Sequence, residues 1–198
     1  MEEKKKRSPR SPKPKEWLAK DWSRGNVADY KPYNFVDGEG VRCSLYVSGC
    51  LFACPECYNL IVQNFKYGFP YTQELQDRIL NDVAADFCQG LTLLGGEPML
   101  NTNTLLPLCH AFRERFGNTK DIWCWSGYTW EEFMQESDDK LELLSLVDVL
   151  VDGRFQIDLL DLTLQFRGSS NQRIIRVQES LEKGEIVLWT NADGSPYR

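Results

Sequence analysis

Cys50, Cys54 and Cys57 form a C-x3-C-x2-C triplet in a chain of 198 residues. Three thiolates within eight residues can wrap three corners of an iron–sulfur cube and leave one iron without a protein ligand. A pure electron carrier gains from a closed cluster with four cysteines; an open iron is useful only where something must bind. The spacing also admits a structural zinc site completed by Cys43, or thiols with no common ligand. Zinc ligands usually come as close pairs, whereas Cys43 stands seven residues before Cys50, so the open cluster is the stronger reading. Gly95-Gly96-Glu97-Pro98 adds a second signal. Two glycines let the backbone approach a ligand closely, and free N–H and C=O groups there can bind the polar end of an amino acid. The same tetrapeptide is also ordinary turn chemistry.

The remaining chemistry-bearing residues are sparse. His110 is the only histidine, and its place beside Cys109 in a helical stretch suits packing or solvent better than catalysis. No acid/base constellation stands out. Cys43, Cys88, Cys109 and Cys124 fall in strand or helix segments and read as small buried hydrophobes. An odd count of seven cysteines, with no apolar stretch behind the basic start, predicts a reducing, cytoplasmic setting and no signal peptide. No apolar run approaches the ~18 residues that span a bilayer.

The elements that must position these residues follow from periodicity. Val41–Val47 predicts a strand ending at Ser48-Gly49, directly before the cysteine triplet. Leu75, Ile79, Val83 and Phe87 recur every fourth residue and predict a helix over 72–87, with Thr72 as N-cap and Gly90 as its stop. Leu91–Leu94 predicts a buried strand broken by Gly95-Gly96. A helix over 104–116 closed by Gly117, a strand over 122–125, and helical turns over 129–134 and 141–146 come next. A strand over 147–151 and a last one over 186–190, turned by 191–194, complete the pattern. Strands alternating with crossover helices make parallel βα units, whose ligands collect at the carboxyl ends of the strands. Those ends read Ser48-Gly49-Cys50, Gly95-Gly96-Glu97, Ser126-Gly127-Tyr128 and Asp152-Gly153-Arg154.

Charge divides the chain. The first twenty residues hold eight basic and three acidic groups, a net of +5; the whole chain carries −6, so the remainder carries −11. An acidic body repels phosphate backbones, which argues against nucleic acid as a partner. Residues 1–16, rich in Lys, Arg, Pro and Ser, predict a disordered basic tail before a single domain over 17–198. The folded part has ordinary globular composition, 42% hydrophobic and 26% charged over the whole chain.

The cysteine triplet after one strand and Gly-Gly-Glu-Pro after the next resemble the radical S-adenosylmethionine (SAM) superfamily. Further segments are similar to one of its families, the activases of the anaerobic (class III) ribonucleotide reductase. They are Asn34–Gly40, Ser44–Asn59, Trp125–Tyr128, Val149–Phe155 and Phe166–Arg173, in family order and spread from about Tyr30 to Ile175. The resemblance implies an α/β fold, an open partial (β/α) barrel. It implies a [4Fe–4S] cluster on Cys50, Cys54 and Cys57, with SAM chelated at the fourth iron. Glu56, Cys57 and Tyr58 would line the adenosine, and Gly95, Gly96 and Glu97 the methionine amino group; Ser126 reads as a ribose contact or as a plain turn serine. Superfamily members often carry an aromatic residue just before the third cysteine; here that position is Glu56 and the aromatic is Tyr58, so either side can face adenine. The implied partners are the large, glycyl-radical subunit of the reductase and a flavodoxin or ferredoxin as electron donor. Activation of another glycyl radical enzyme, of the pyruvate formate-lyase type, and a non-catalytic zinc or iron–sulfur module are the alternatives. Trp123, Trp125 and Trp130 read as core or partner surface, and the Arg167–Arg173 loop as a donor-rich grip or a self-bonded turn.

Overall fold

The computed structural model describes residues 8–190 and Ser195. Within them, seven strands form one mixed sheet: β1 (Asn26–Asn34), β2 (Val41–Val47), β3 (Phe69–Pro70), β4 (Cys88–Gly95), β5 (Asp121–Trp125), β6 (Val149–Asp152) and β7 (Arg173–Arg176). Their order is β3-β1-β2-β4-β5-β6-β7. The central β2, β4, β5 and β6 run parallel, while β1 and β7 flank them antiparallel. The helices are α1 (Ala19–Trp22), α2 (Gln73–Val83), α3 (Thr102–Phe116), α4 (Trp130–Phe133), α5 (Asp138–Ser145) and α6 (Val177–Lys183).

Strand periodicity sorts the central side chains onto two faces. Cys43, Leu45, Val47, Leu91, Leu93, Ile122, Cys124 and Leu150 join Ile79, Val83, Leu105, Leu108 and Phe112 of the helices in the main core. The alternate residues Trp123, Val149, Val151 and Ile174 make a second buried cluster on the opposite face. The four cysteines outside the triplet are all buried, as their placement predicts. Trp123 and Trp130 belong to buried packing, while Trp125 is only half-buried.

Capping sets the helix starts where sequence places them. Thr72 Oγ1 accepts from Leu75 N–H at 3.2 Å, and Thr129 and Glu132 make a reciprocal capping box. Each such cap is worth ~1 kcal/mol. Gly117 closes α3. Other boundaries move. The α2 helix stops at Val83 rather than Phe87, because β4 already begins at Cys88 and the chain must turn between them; Phe87 is left exposed against Tyr33. The strand expected over 186–190 is reduced to bridge positions at Leu188, which pairs with Ile175, and at Thr190, and the turn over 191–194 lies outside the described residues. The basic segment expected to be disordered through residue 16 is described from Ser8, where it makes contacts with the body set out below. Among the described residues, no helix is long and apolar enough to cross a membrane.

Candidate functional site

The carboxyl ends of β2, β4, β5 and β6 open into one cavity of about 480 Å³. Cys50, Cys54, Cys57, Tyr58, Gly95, Gly96, Glu97 and Ser126 all line it. Glu56 does not; it is exposed, outside that wall. Of the two positions flanking Cys57, the structure therefore brings Tyr58 to the cavity, where its ring lies 5.8 Å from that of Phe155.

The cysteine loop is shaped by its backbone. Ala53 (φ 51°) and Glu56 (φ 55°) are left-handed, and each immediately precedes a cysteine. Non-glycine residues pay ~1–3 kcal/mol for such conformations and keep them only where surrounding structure imposes them. The imposing contacts are visible. Gly49 N–H donates to Val62 O at 2.7 Å, and Cys50 N–H to Gln63 O at 3.0 Å. Phe52, between the first two cysteines, is buried with its ring 5.2 Å from Trp17 and 5.0 Å from Tyr128.

The Gly-Gly-Glu-Pro turn is held just as firmly. A Cβ on Gly96 would meet Gly49 O at 2.4 Å, so only glycine lets the turn lie against the start of the cysteine loop. Gly96 N–H donates to Val47 O and Glu97 N–H to Gly49 O, both at 2.7 Å. The N–H groups of Gly96 and Glu97 are thus spent on the end of β2 and the start of the cysteine loop, and what these residues can offer a ligand is carbonyl oxygen, an acceptor suited to an amine. Asn59 Nδ2, at 3.4 Å from Gly95 O, reaches the same turn from beyond the third cysteine.

Glu97 is buried and fully engaged. Its Oε1 accepts from Met99 N–H at 3.0 Å and from the Ser126 hydroxyl at 2.8 Å; its Oε2 accepts from Gly127 N–H at 2.8 Å. Burial raises its pKa, against the pull of these three donors and of Lys140. The carboxylate clamps the end of β4 to the end of β5. Ser126, spent on Glu97 and on Tyr128 N–H, is part of that clamp.

The donor set fits an iron–sulfur cluster. All three thiols are free, partly exposed and on one wall. Burial, then the neighbouring Cys57, pushes the Cys54 thiol up to about 11, and burial likewise pushes Cys50 up. Bare thiolates are disfavoured there, and a bound cation reverses that balance while releasing protons. Among the described residues, no three His, Cys, Asp or Glu side chains are already set to hold a single metal ion.

Asn59, Trp125, Arg154 and Phe155 also line the cavity; the sequence marks them only through the family-like segments, the strand end at Arg154 and the aromatic Trp125, and gives none of them a role in the site. Arg154 grips Glu132 through two bonds of 2.9 and 2.8 Å and stacks its guanidinium 4.5 Å from the Phe52 ring centre. The loop over 167–173 bonds both to itself and outward: Gln172 Oε1 accepts from Gly168 N–H at 3.0 Å and Ser169 N–H at 3.2 Å, while Asn171 Nδ2 donates to Arg154 O at 2.8 Å and Gln172 Nε2 to Gly153 O at 3.1 Å. Arg173 instead pairs with Glu131 and Asp152.

Residues 36–175 match a family model described as a 4Fe-4S single cluster domain. The anaerobic ribonucleoside-triphosphate reductase-activating protein of Pasteurella multocida is 40% identical over 155 residues, 76% of this chain and 97% of that protein. The protein of the same name from Escherichia coli K12 is 40% identical over 151 residues, 74% of this chain and 96% of its own length. That of Enterobacteria phage T4 is 36% identical over 165 residues, covering 82% and 92%.

Proposed function

The chain belongs to the family of anaerobic ribonucleoside-triphosphate reductase-activating proteins, with their 4Fe-4S single cluster domain, and from that premise we propose that it makes the glycyl radical of an anaerobic ribonucleotide reductase by reductive cleavage of SAM. Cys50, Cys54 and Cys57 hold a [4Fe–4S] cluster in this reading. When bound, such a cluster supplies one electron to the sulfonium of SAM, giving methionine and a 5′-deoxyadenosyl radical that takes a hydrogen atom from a glycine of the reductase.

The protein's own residues bind and orient. Carbonyl groups of the Gly95-Gly96 turn accept from the methionine amine, and Tyr58 packs against the adenine. Glu97 and Ser126 act one step behind, holding the turn and the β5 loop in register. The sheet, wound in order through β2, β4, β5 and β6, serves as an open partial (β/α) barrel of the radical SAM type. Residues 17–198 form the activase domain, and a flavodoxin or ferredoxin is the electron donor.

The observation that carries this reading is the meeting of all three cysteines with the Gly-Gly-Glu-Pro turn on one cavity wall. A second observation fits a protein substrate: Val36, Tyr58 and Leu162 line the cavity yet are 64%, 71% and 81% exposed, an apolar rim a polypeptide can approach. The test is anaerobic reconstitution with iron and sulfide, followed by reductant, SAM and the reductase. A glycyl radical signal in electron paramagnetic resonance (EPR) is expected. A signal obtained with pyruvate formate-lyase in place of the reductase, and not with the reductase, contradicts the assigned partner.

A further inference from the structure

The N-terminal segment ahead of the family match, which begins at residue 36, is tied to the rest of the fold at four points, one of them on the cluster loop. Arg10 N–H donates to Phe52 O at 2.7 Å, in the middle of the Cys50–Cys54 loop. Arg10 O accepts from Arg154 Nε at 2.9 Å. Lys15 N–H reaches Glu136 Oε1 at 3.3 Å, and Trp17 O accepts from Lys140 Nζ at 2.6 Å. The last two anchors are firm, because Lys140 and Glu136 are themselves a buried ion pair at 2.7 Å. Between the anchors, the Arg10 guanidinium lies 5.3 Å over the Trp17 ring, which meets the Phe52 ring in a T-shaped contact. The segment therefore closes a ring of contacts: Arg10 to Phe52, Phe52 to Arg154, Arg154 back to Arg10.

We infer that Arg10–Trp17 is a brace of the cluster loop, positioning the Cys50–Cys54 turn and the Arg154 guanidinium against the cavity. Phe52 O sits two residues from each of Cys50 and Cys54, so a bond to it restrains the segment carrying both thiols. Arg154 lines the cavity as a fixed positive charge, and its Nε bond to Arg10 O fixes the tilt that the Glu132 pairing alone leaves free to pivot. Arg10 and Trp17 act through other residues and touch no substrate; they are positioning residues. The hydrogen bonds at Arg10, Lys15 and Trp17 are made by the backbone of the segment, and the Arg10 guanidinium adds its contact with the Trp17 ring.

The inference rests on the reading that Cys50, Cys54 and Cys57 hold the cluster. Its test compares four reconstituted proteins: the full chain, chains beginning at residue 8 and at residue 13, and the full-length Arg10→Pro variant, which lacks the N–H given to Phe52 and the guanidinium over Trp17 but keeps the carbonyl of residue 10. Iron release to a chelator is followed anaerobically near 400 nm, and the EPR spectrum of the reduced cluster is recorded. The chain from residue 8 should match the full chain. The chain from residue 13 and Arg10→Pro should release iron roughly tenfold faster, the scale of one or two net hydrogen bonds. Their spectra should also change, in both because the Cys50–Cys54 turn loses its bond at Phe52 O, and in the chain from residue 13 also because Arg154 loses the Arg10 carbonyl, which a uniform loss of stability does not produce. Should the chain from residue 13 fail to fold, Arg10→Pro decides alone. Unchanged release, or faster release with an unchanged spectrum, overturns the brace. A full chain that takes up no iron overturns both the brace and the reading beneath it.

Discussion

Glu97 offers the sharpest separation between holding a site together and binding its ligand. Replacing it by alanine removes an acceptor from Met99 N–H, Gly127 N–H and the Ser126 hydroxyl, all of them at a residue only 1% exposed. An unsatisfied buried donor costs ~1–3 kcal/mol. The serine hydroxyl can turn elsewhere, but two backbone N–H groups cannot, so Glu97→Ala should lose about 3–5 kcal/mol. That is a large share of the ~5–15 kcal/mol that holds a domain together. Glu97→Gln keeps one oxygen for Met99 and Ser126 yet sets an amide N–H against Gly127 N–H or gives up that contact; about 1–3 kcal/mol should go. The assay is urea denaturation of both variants without cluster or SAM. A residue that only touched SAM would leave this stability unchanged. Curves within ~0.5 kcal/mol of the parent for both variants would refute the clamp and return Glu97 to the role of a direct ligand.

Three further outcomes follow from the same contacts. Lys140→Met strands the buried Glu136 carboxylate and should cost about 3–5 kcal/mol, whereas Lys140→Met with Glu136→Leu should recover most of it, both read by denaturation. Tyr58→Ala should weaken SAM binding to the reconstituted protein by roughly 5- to 100-fold, the worth of ~1–3 kcal/mol of base stacking, while Glu56→Ala changes it little; equilibrium dialysis separates the two. Glu131 is held down to about 2 by hydrogen bonding to Arg173. A carboxylate depressed in the fold adds stability above its unfolded pKa and loses it as pH falls. Since the pair is largely exposed, Glu131→Gln should cost only a few tenths of a kcal/mol at pH 7, a difference that closes between about pH 4.5 and 2.

What could be read from sequence tracks where one physical signal dominates. The parallel strands at the centre are short apolar runs ended by glycine, and β2 is recovered from end to end. The β1 strand escaped because little of it is buried: Asn-Val-Ala-Asp-Tyr-Lys-Pro-Tyr-Asn carries one buried apolar residue, and its proline stands beyond Asn26 and Val27, the two residues that pair with β3. The β7 strand escaped for want of length, with Ile174 and Ile175 its only apolar residues. In the site, cysteine spacing and paired glycines are local chemistry and stay legible. Arg154, Asn59 and Phe155 matter through neighbours 22, 36 and 97 positions away, and no window of sequence contains those pairs. At the N-terminus composition reports side-chain burial and is silent on main-chain bonds, through which Arg10 and Lys15 meet the rest of the fold.

The most direct measurement is the iron and acid-labile sulfide content of protein purified and reconstituted without oxygen, with 5′-deoxyadenosine assayed after adding dithionite and SAM. Four irons and four sulfides per chain, and nucleoside formed by the parent but not by Cys54→Ala, are the expected result. One zinc per chain with no sulfide, or nucleoside released equally by Cys54→Ala, would contradict it.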